Sequence, residues 1–107
     1  MKIVVGISGA SGANLGLKLV HALPDDVQKH LILSDHAKIV LEKEENLILH
    51  QNNEIWASVA SGSYGADAMI ITPCSMNTLA KIACGIADNL ITRAAAVMIK
   101  ERRTLVL

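Results

Sequence analysis

Two kinds of hydrophobic pattern alternate along the chain. Lys2-Ile3-Val4-Val5 is a short β-branched run that reads as a buried strand, and Asn14 to Leu23 carries apolar residues at 15, 19, 20 and 23, one helix face. Lys29 to Leu33 reads as a second strand. Asp35 to Glu45 then predicts a helix, with Ser34 or Asp35 as its N-cap and Ala37, Val40 and Leu41 on one side. Asn46 to Val59 contains the loop signal Gln51-Asn52-Asn53 and reads as a connection wrapping over one edge of the sheet. Ala66 to Thr72 is continuously apolar, as a strand covered on both faces must be. A helix follows through Ala83 and breaks at Gly85. Another runs from about Ala87 to Lys100, and Thr104 to Leu107 is a fourth strand, read as central. Strand and helix in alternation predict an α/β fold, a doubly wound parallel sheet with right-handed crossovers, in a single domain over 1–107.

Composition narrows the class. Apolar residues make up 51% of the 107 residues and charged residues 19%, so the chain can bury a core; with two aromatic residues, Trp56 and Tyr64, that core is aliphatic. Ten basic residues balance ten acidic ones. There is no global field for nucleic acid or a membrane surface, although Lys100, Arg102 and Arg103 form a local basic cluster. No apolar run reaches the roughly 20 residues that span a bilayer. The first residues enter a strand directly, without a signal-peptide pattern, and Cys74 and Cys84 are too few for a disulfide framework. These features predict a cytoplasmic protein. His21, His30, His36 and His50 show no ligand spacing with the cysteines, which predicts no metal site.

In doubly wound sheets ligands sit at the carboxyl ends of the strands, so the chemistry is expected there. The first strand delivers Gly6-Ile7-Ser8-Gly9-Ala10-Ser11-Gly12-Ala13, with glycine at every third position from Gly6 to Gly12. A glycine-rich turn between strand and helix exposes backbone N–H groups at the positive end of a helix dipole, which suits phosphate. Ser8 occupies the second glycine of the dinucleotide fingerprint G-x-G-x-x-G. With Ser11 it adds hydroxyls that fit a terminal monophosphate or a flavin edge better than a bridged pyrophosphate. The second strand delivers Ser34. The third delivers Pro73-Cys74-Ser75-Met76-Asn77-Thr78, with three polar side chains in four residues. Any one of these is equally a helix N-cap or a tight packing turn.

These segments together resemble the UbiX family of flavin prenyltransferases. GISGASGA, SDHAK and TPCSMNTLAKIACGIADNLITRAAAVMIKERRTLVL carry the likeness, which extends over essentially the whole chain; Thr104 replaces a usual Pro and Ala96 a common Asp. The resemblance implies a Rossmann- or flavodoxin-like three-layer flavoprotein that binds FMN. It implies transfer of a dimethylallyl group from dimethylallyl monophosphate to flavin N5 and C6, and delivery of the prenylated FMN to a UbiD-type decarboxylase. The FMN contacts it implies are Gly9, Ala10, Ser11, Ser34, Ser75, Met76, Asn77 and Thr78. Glu44 matches an active-site glutamate, and Arg93 and Lys100 match residues that hold the prenyl phosphate. Arg and Lys stabilise charge developing on a departing phosphate, and a Glu with a raised pKa protonates it. By themselves Glu44, in Glu42-Lys43-Glu44-Glu45, and Lys100 read as solvated helix termini. The transfer is expected to be metal-independent: the one adjacent Asp pair, Asp25-Asp26, lies in a Pro24-led turn at the far end of the first helix.

Two other functions remain open. Flavin-dependent decarboxylases of cysteinyl peptides or phosphopantothenoylcysteine share the fold, but use a histidine shortly before the third strand. Here Ala57 to Tyr64 has none, and Ala60-Ser61-Gly62-Ser63 follows the prenyltransferase pattern. A non-catalytic FMN-binding module is the other. The sequence stops at Leu107 inside a predicted strand, where the family continues with further members of the phosphate site. The expectation is a truncated form that retains the flavin cradle and does not prenylate. Family members form homo-oligomers, commonly dodecamers, with active sites between subunits.

Overall fold

The computed structural model describes residues 1–9, 13–34 and 46–107. Its elements are β1 (Lys2–Ile7), α1 (Ala13–Ala22), β2 (Gln28–Leu33), β3 (Leu47–Gln51), β4 (Ala68–Ile71), α2 (Met76–Cys84), α3 (Leu90–Lys100) and β5 (Thr104–Val106). Single 3₁₀ turns at Ser58–Ala60 and Gly62–Tyr64 lead into β4. All strand pairings are parallel, in the order β3-β2-β1-β4-β5. The expected doubly wound sheet is therefore present, with one correction. Asn46–Val59 is not simply a connection over the sheet edge: Leu47–Gln51 is itself a strand, hydrogen-bonded to β2. Its two exposed apolar side chains, Ile48 and Leu49, break the alternation that would have revealed it. Among the described residues the strand at 104–106 pairs with β4, at one end of the order. The helix predicted from about Ala87 begins at Leu90, where Asn89 caps it. The helix predicted over 35–45 lies outside the described residues.

Alternation of side chains along the strands divides the core between the two faces of the sheet. Ile3, Val5 and Ile7 of β1 pack with Leu31 and Leu33 of β2 and with Val20 of α1. Val4, on the opposite face, joins Ile32, Met69, Ile71 and the α3 residues Leu90, Ile91, Ala94, Ala95 and Met98. Each such fully buried aliphatic side chain contributes about 1.5–3 kcal/mol. Helix α1 sits very close to the sheet. A Cβ on Gly16 would lie 2.4 Å from Ile7 Cγ1 and 2.6 Å from the Thr72 carbonyl oxygen, so only glycine fits there.

Order reverses between β1 and β4, so the crevice outside their carboxyl ends is the switch point where such sheets bind ligands. Register makes the ends flush. Ile7 pairs with Leu33 and Leu33 with Gln51, which sets Ser8, Ser34 and Asn52 side by side as the next residues.

Candidate functional site

Ser8 is the hub of the strand-end crevice. Its hydroxyl accepts the Ser75 backbone N–H at 2.8 Å and donates to the Pro73 carbonyl at 3.3 Å, while its own N–H reaches the same carbonyl at 3.1 Å. Gly9 donates its backbone N–H to Ser34 Oγ at 3.1 Å, with φ of 96°, a left-handed backbone value that favours glycine. The segments after β1, β2 and β4 are thus tied to one another. On the α2 side, Ser75 Oγ accepts the Thr78 N–H at 3.1 Å as an N-cap and donates to Thr78 Oγ1 at 3.0 Å. Helix α2 therefore starts inside the crevice with its early N–H groups turned toward it.

The crevice is a cavity of about 360 Å³ lined by Ser8, Gly9, Ser34, Asn52, Ser75, Asn77, Thr78, Lys81 and Asn89. Hydroxyl, amide and backbone N–H groups dominate, and Lys81 is the single charged side chain among those lining residues. Neutral donors around a helix start suit an anionic or hydrogen-bonding ligand such as a flavin monophosphate. Beside it, burial pushes the Cys74 thiol up, against a weaker opposing effect of its Ser8 hydrogen bond, so Cys74 is a neutral thiol near pH 7.

Of the sequence-derived contacts, Gly9, Ser34, Ser75, Asn77 and Thr78 meet in this cavity. Met76 is exposed and is not among its lining residues. Ala10, Ser11 and Glu44 lie outside the described residues. Arg93 and Lys100 are not brought to the cavity. Both are exposed on α3, seven positions and so about 10 Å apart along its axis. Lys100 lines a separate apolar groove of about 510 Å³ with Ile82, Ile86, Thr92, Ala96 and Ile99. Both hollows share α2 as a wall.

Sequence reasoning overlooked Asn52 and Asn89 and read Lys81 only as part of a motif. Asn52 is buried; it accepts the Ile91 N–H through Oδ1 at 2.8 Å and the Leu90 N–H through its carbonyl at 2.8 Å, and donates its own N–H to Leu33. It holds the first turn of α3 against the end of β2. Its signal was hidden because Gln51-Asn52-Asn53 looks like a loop when β3 is not recognised. Asn89 did carry a legible signal: with Thr92 three residues on, it forms a capping box.

A second polar cluster lies inside the fold. His30 Nδ1 and His50 Nε2 are 2.9 Å apart, the Tyr64 hydroxyl bonds His30 Nε2, and the Lys2 ammonium lies 4.3 Å from the Tyr64 ring centre. Burial first, then the charges of His50 and Lys2, lowers the His30 pKa to about 4. Burial also lowers that of His50, opposed by Glu54, whose carboxylate oxygen is 3.9 Å away.

A strand-end cavity lined by hydroxyls and amides at the switch point of a parallel sheet is where α/β proteins of the nucleotide- and flavin-binding class take their ligands. The family model described as Flavoprotein matches residues 1–107, and the chain belongs to that family. It is similar to flavin prenyltransferase UbiX of Deinococcus radiodurans, 46% identical across 99% of the chain and 60% of that protein. It is also 42% identical to the UbiX of Neisseria meningitidis, across 99% of the chain and 62% of the relative. Among solved structures it superimposes on AnUbiX (PadA1) in complex with FMN and dimethylallyl pyrophosphate. The TM-score is 0.87 at 44% identity, over 99% of the chain and 62% of that structure. A dodecameric FMN-dependent UbiX-like decarboxylase from Escherichia coli O157:H7 gives 0.86 at 39% identity, over 98% and 64%. The chain thus spans about three fifths of the length of these relatives. Among the described residues no helix is long and apolar enough to cross a membrane.

Proposed function

We propose that this chain forms the FMN-binding part of a flavin prenyltransferase of the UbiX type. The observation that carries the reading is the closure of three strand ends into one cavity by Ser75 N–H to Ser8 Oγ and Gly9 N–H to Ser34 Oγ. The donor set fits FMN: hydroxyls and helix-start N–H groups for the phosphate, and the amides of Asn77 and Asn89 for the polar edges of a larger ligand. Gly9, Ala10, Ser11, Ser34, Ser75, Met76, Asn77 and Thr78 are the proposed holders of FMN. Met76 is assigned by resemblance, its exposed side chain being free to lie over a bound ring. The domain is read as one unit over 1–107.

Bound reduced FMN supplies the electron-rich N5 and C6 to which the dimethylallyl carbon chain is joined. As the allylic C–O bond breaks, the phosphate leaves with the bonding pair and its negative charge rises. Arg93 and Lys100 are the proposed counter-charges for it, and Glu44 the acid that protonates the departing oxygen. The apolar groove beside Lys100 offers walls for a branched hydrocarbon next to a cation, which supports a prenyl phosphate rather than a polar donor. A single charged leaving group held by basic side chains needs no metal. The two α3 cations stand outside the flavin cavity, which agrees with a site completed by further chain or by another copy in a homo-oligomer. A UbiD-type decarboxylase is the proposed recipient of the prenylated flavin, in the cytoplasm.

Flavin fluorescence titration tests the cradle. Wild-type protein should quench FMN fluorescence on binding, and Ser11→Asp should abolish this by placing an anion in the phosphate turn. Equal affinity for both would refute the assignment. Incubation with reduced FMN and dimethylallyl monophosphate then distinguishes transfer from carriage. A gain of one prenyl unit in flavin mass supports the prenyltransferase. FMN that stays unmodified with this chain, and also with a version extended to the length of its relatives, identifies a flavin-binding module instead.

A further inference from the structure

The flavin cavity is lined by neutral donors with one exception, and that exception is already paired. Lys81 Nζ lies 3.1 and 3.0 Å from Asp88 Oδ1 and Oδ2, so the ion pair joins α2 to the connection leading into α3. Lys81 stands one helical turn after Asn77 on α2, and Asp88 immediately precedes Asn89. Asn77 and Asn89 line the same cavity, so the pair is seated between two cavity walls. The connection is fixed at its start by the Ile86 N–H bond to the Lys81 carbonyl at 2.8 Å, and at its end by the Asn89 cap.

Hydroxyls and helix-start N–H groups can hold a phosphate dianion, and a cation at the same cavity adds a charge-assisted contact to them. Arg93 and Lys100 do not line this cavity, whereas Lys81 does. Lysine is a point charge on a flexible stem and can turn from one oxyanion to another without a fixed fork geometry. Asp88, more exposed than Lys81, anchors the ammonium and loses little by sharing it with solvent.

Building on the proposed FMN cradle, we infer that Lys81 is the cation that neutralises the ligand's monophosphate, and that Asp88 holds it at the cavity in competition with that phosphate. The two residues together set the preference for FMN over uncharged riboflavin.

Binding of FMN and riboflavin, followed by fluorescence quenching at low and moderate salt, separates the possibilities. A lost charge-assisted contact should weaken FMN about 10- to 100-fold in Lys81→Met, leave riboflavin unchanged, and flatten the salt dependence for FMN. Lys81→Arg should keep most of the FMN affinity, which guards against a folding defect in the Met variant. Asp88→Asn, by removing the competitor, should tighten FMN and not riboflavin. Equal loss of both ligands in Lys81→Met, or unchanged FMN affinity, overturns the inference. If wild-type protein binds riboflavin as tightly as FMN, the phosphate role falls while the flavin cradle stands. If it binds neither, the cradle itself is refuted.

Discussion

Two polar regions of this molecule solve opposite problems. In the strand-end crevice, the Ser75 and Gly9 backbone N–H groups donate to the Ser8 and Ser34 hydroxyls, and these four residues still line a 360 Å³ cavity. The cluster of His30, His50 and Tyr64 lies within the fold, and its ring nitrogens and hydroxyl are spent on each other. When Tyr64 donates to His30 Nε2, the His30 Nδ1–H donates to His50 Nε2, and His50 Nδ1 lies 3.9 Å from a Glu54 carboxylate oxygen. The crevice keeps hydrogen-bonding capacity for a ligand and has no histidine among its lining residues. The internal cluster spends its groups mainly on one another and concentrates two histidines. The open cavity and the buried histidine pair thus occupy different parts of the sheet.

Acid should break this comparison most strongly. The His30 pKa is about 4 in the folded protein and 6.5 in the unfolded chain, so the unfolded chain takes up protons first as pH falls. The stability contributed by neutral His30 is complete above pH 6.5 and is lost as pH drops toward 4. The loss amounts to about 3 kcal/mol. His50 is lowered as well and adds to the loss in the same direction. Urea unfolding at pH 7 and pH 4.5 measures the difference, and His30→Gln should flatten it. An identical slope in that variant would place the acid sensitivity elsewhere.

Ser8→Ala should come next. The part-buried Ser75 N–H loses its acceptor, at about 1 kcal/mol of stability, and FMN affinity should fall with it because α2 is no longer pinned to the turn. Denaturation and flavin titration on the same variant check that the two losses go together. The smallest effect is expected for Tyr64→Phe, which removes one bond to His30 and costs about 1 kcal/mol. Here FMN affinity should stay at the wild-type value. A drop in affinity would mean that the two regions are coupled, with the chain from His50 to Asn52 as the obvious route.

The alternation of strand and helix, the glycine turn at Gly9 and the Gly85 stop of α2 were legible because they depend on neighbours in sequence: period, cap and backbone freedom. Tertiary structure decided what depends on neighbours in space. Leu47–Gln51 is a strand because β2 offers it an edge, although its own pattern leaves Ile48 and Leu49 exposed. That pairing alone brings Asn52 level with Ser8 and Ser34. Likewise no local pattern shows that His30 and His50 share a bond across adjacent strands, or that Lys81 lines the strand-end cavity while Arg93 and Lys100 do not. Residue types and periods specify which elements form. Strand register and the direction in which each helix leaves the sheet specify which side chains meet, because those contacts arise only when distant segments pack together.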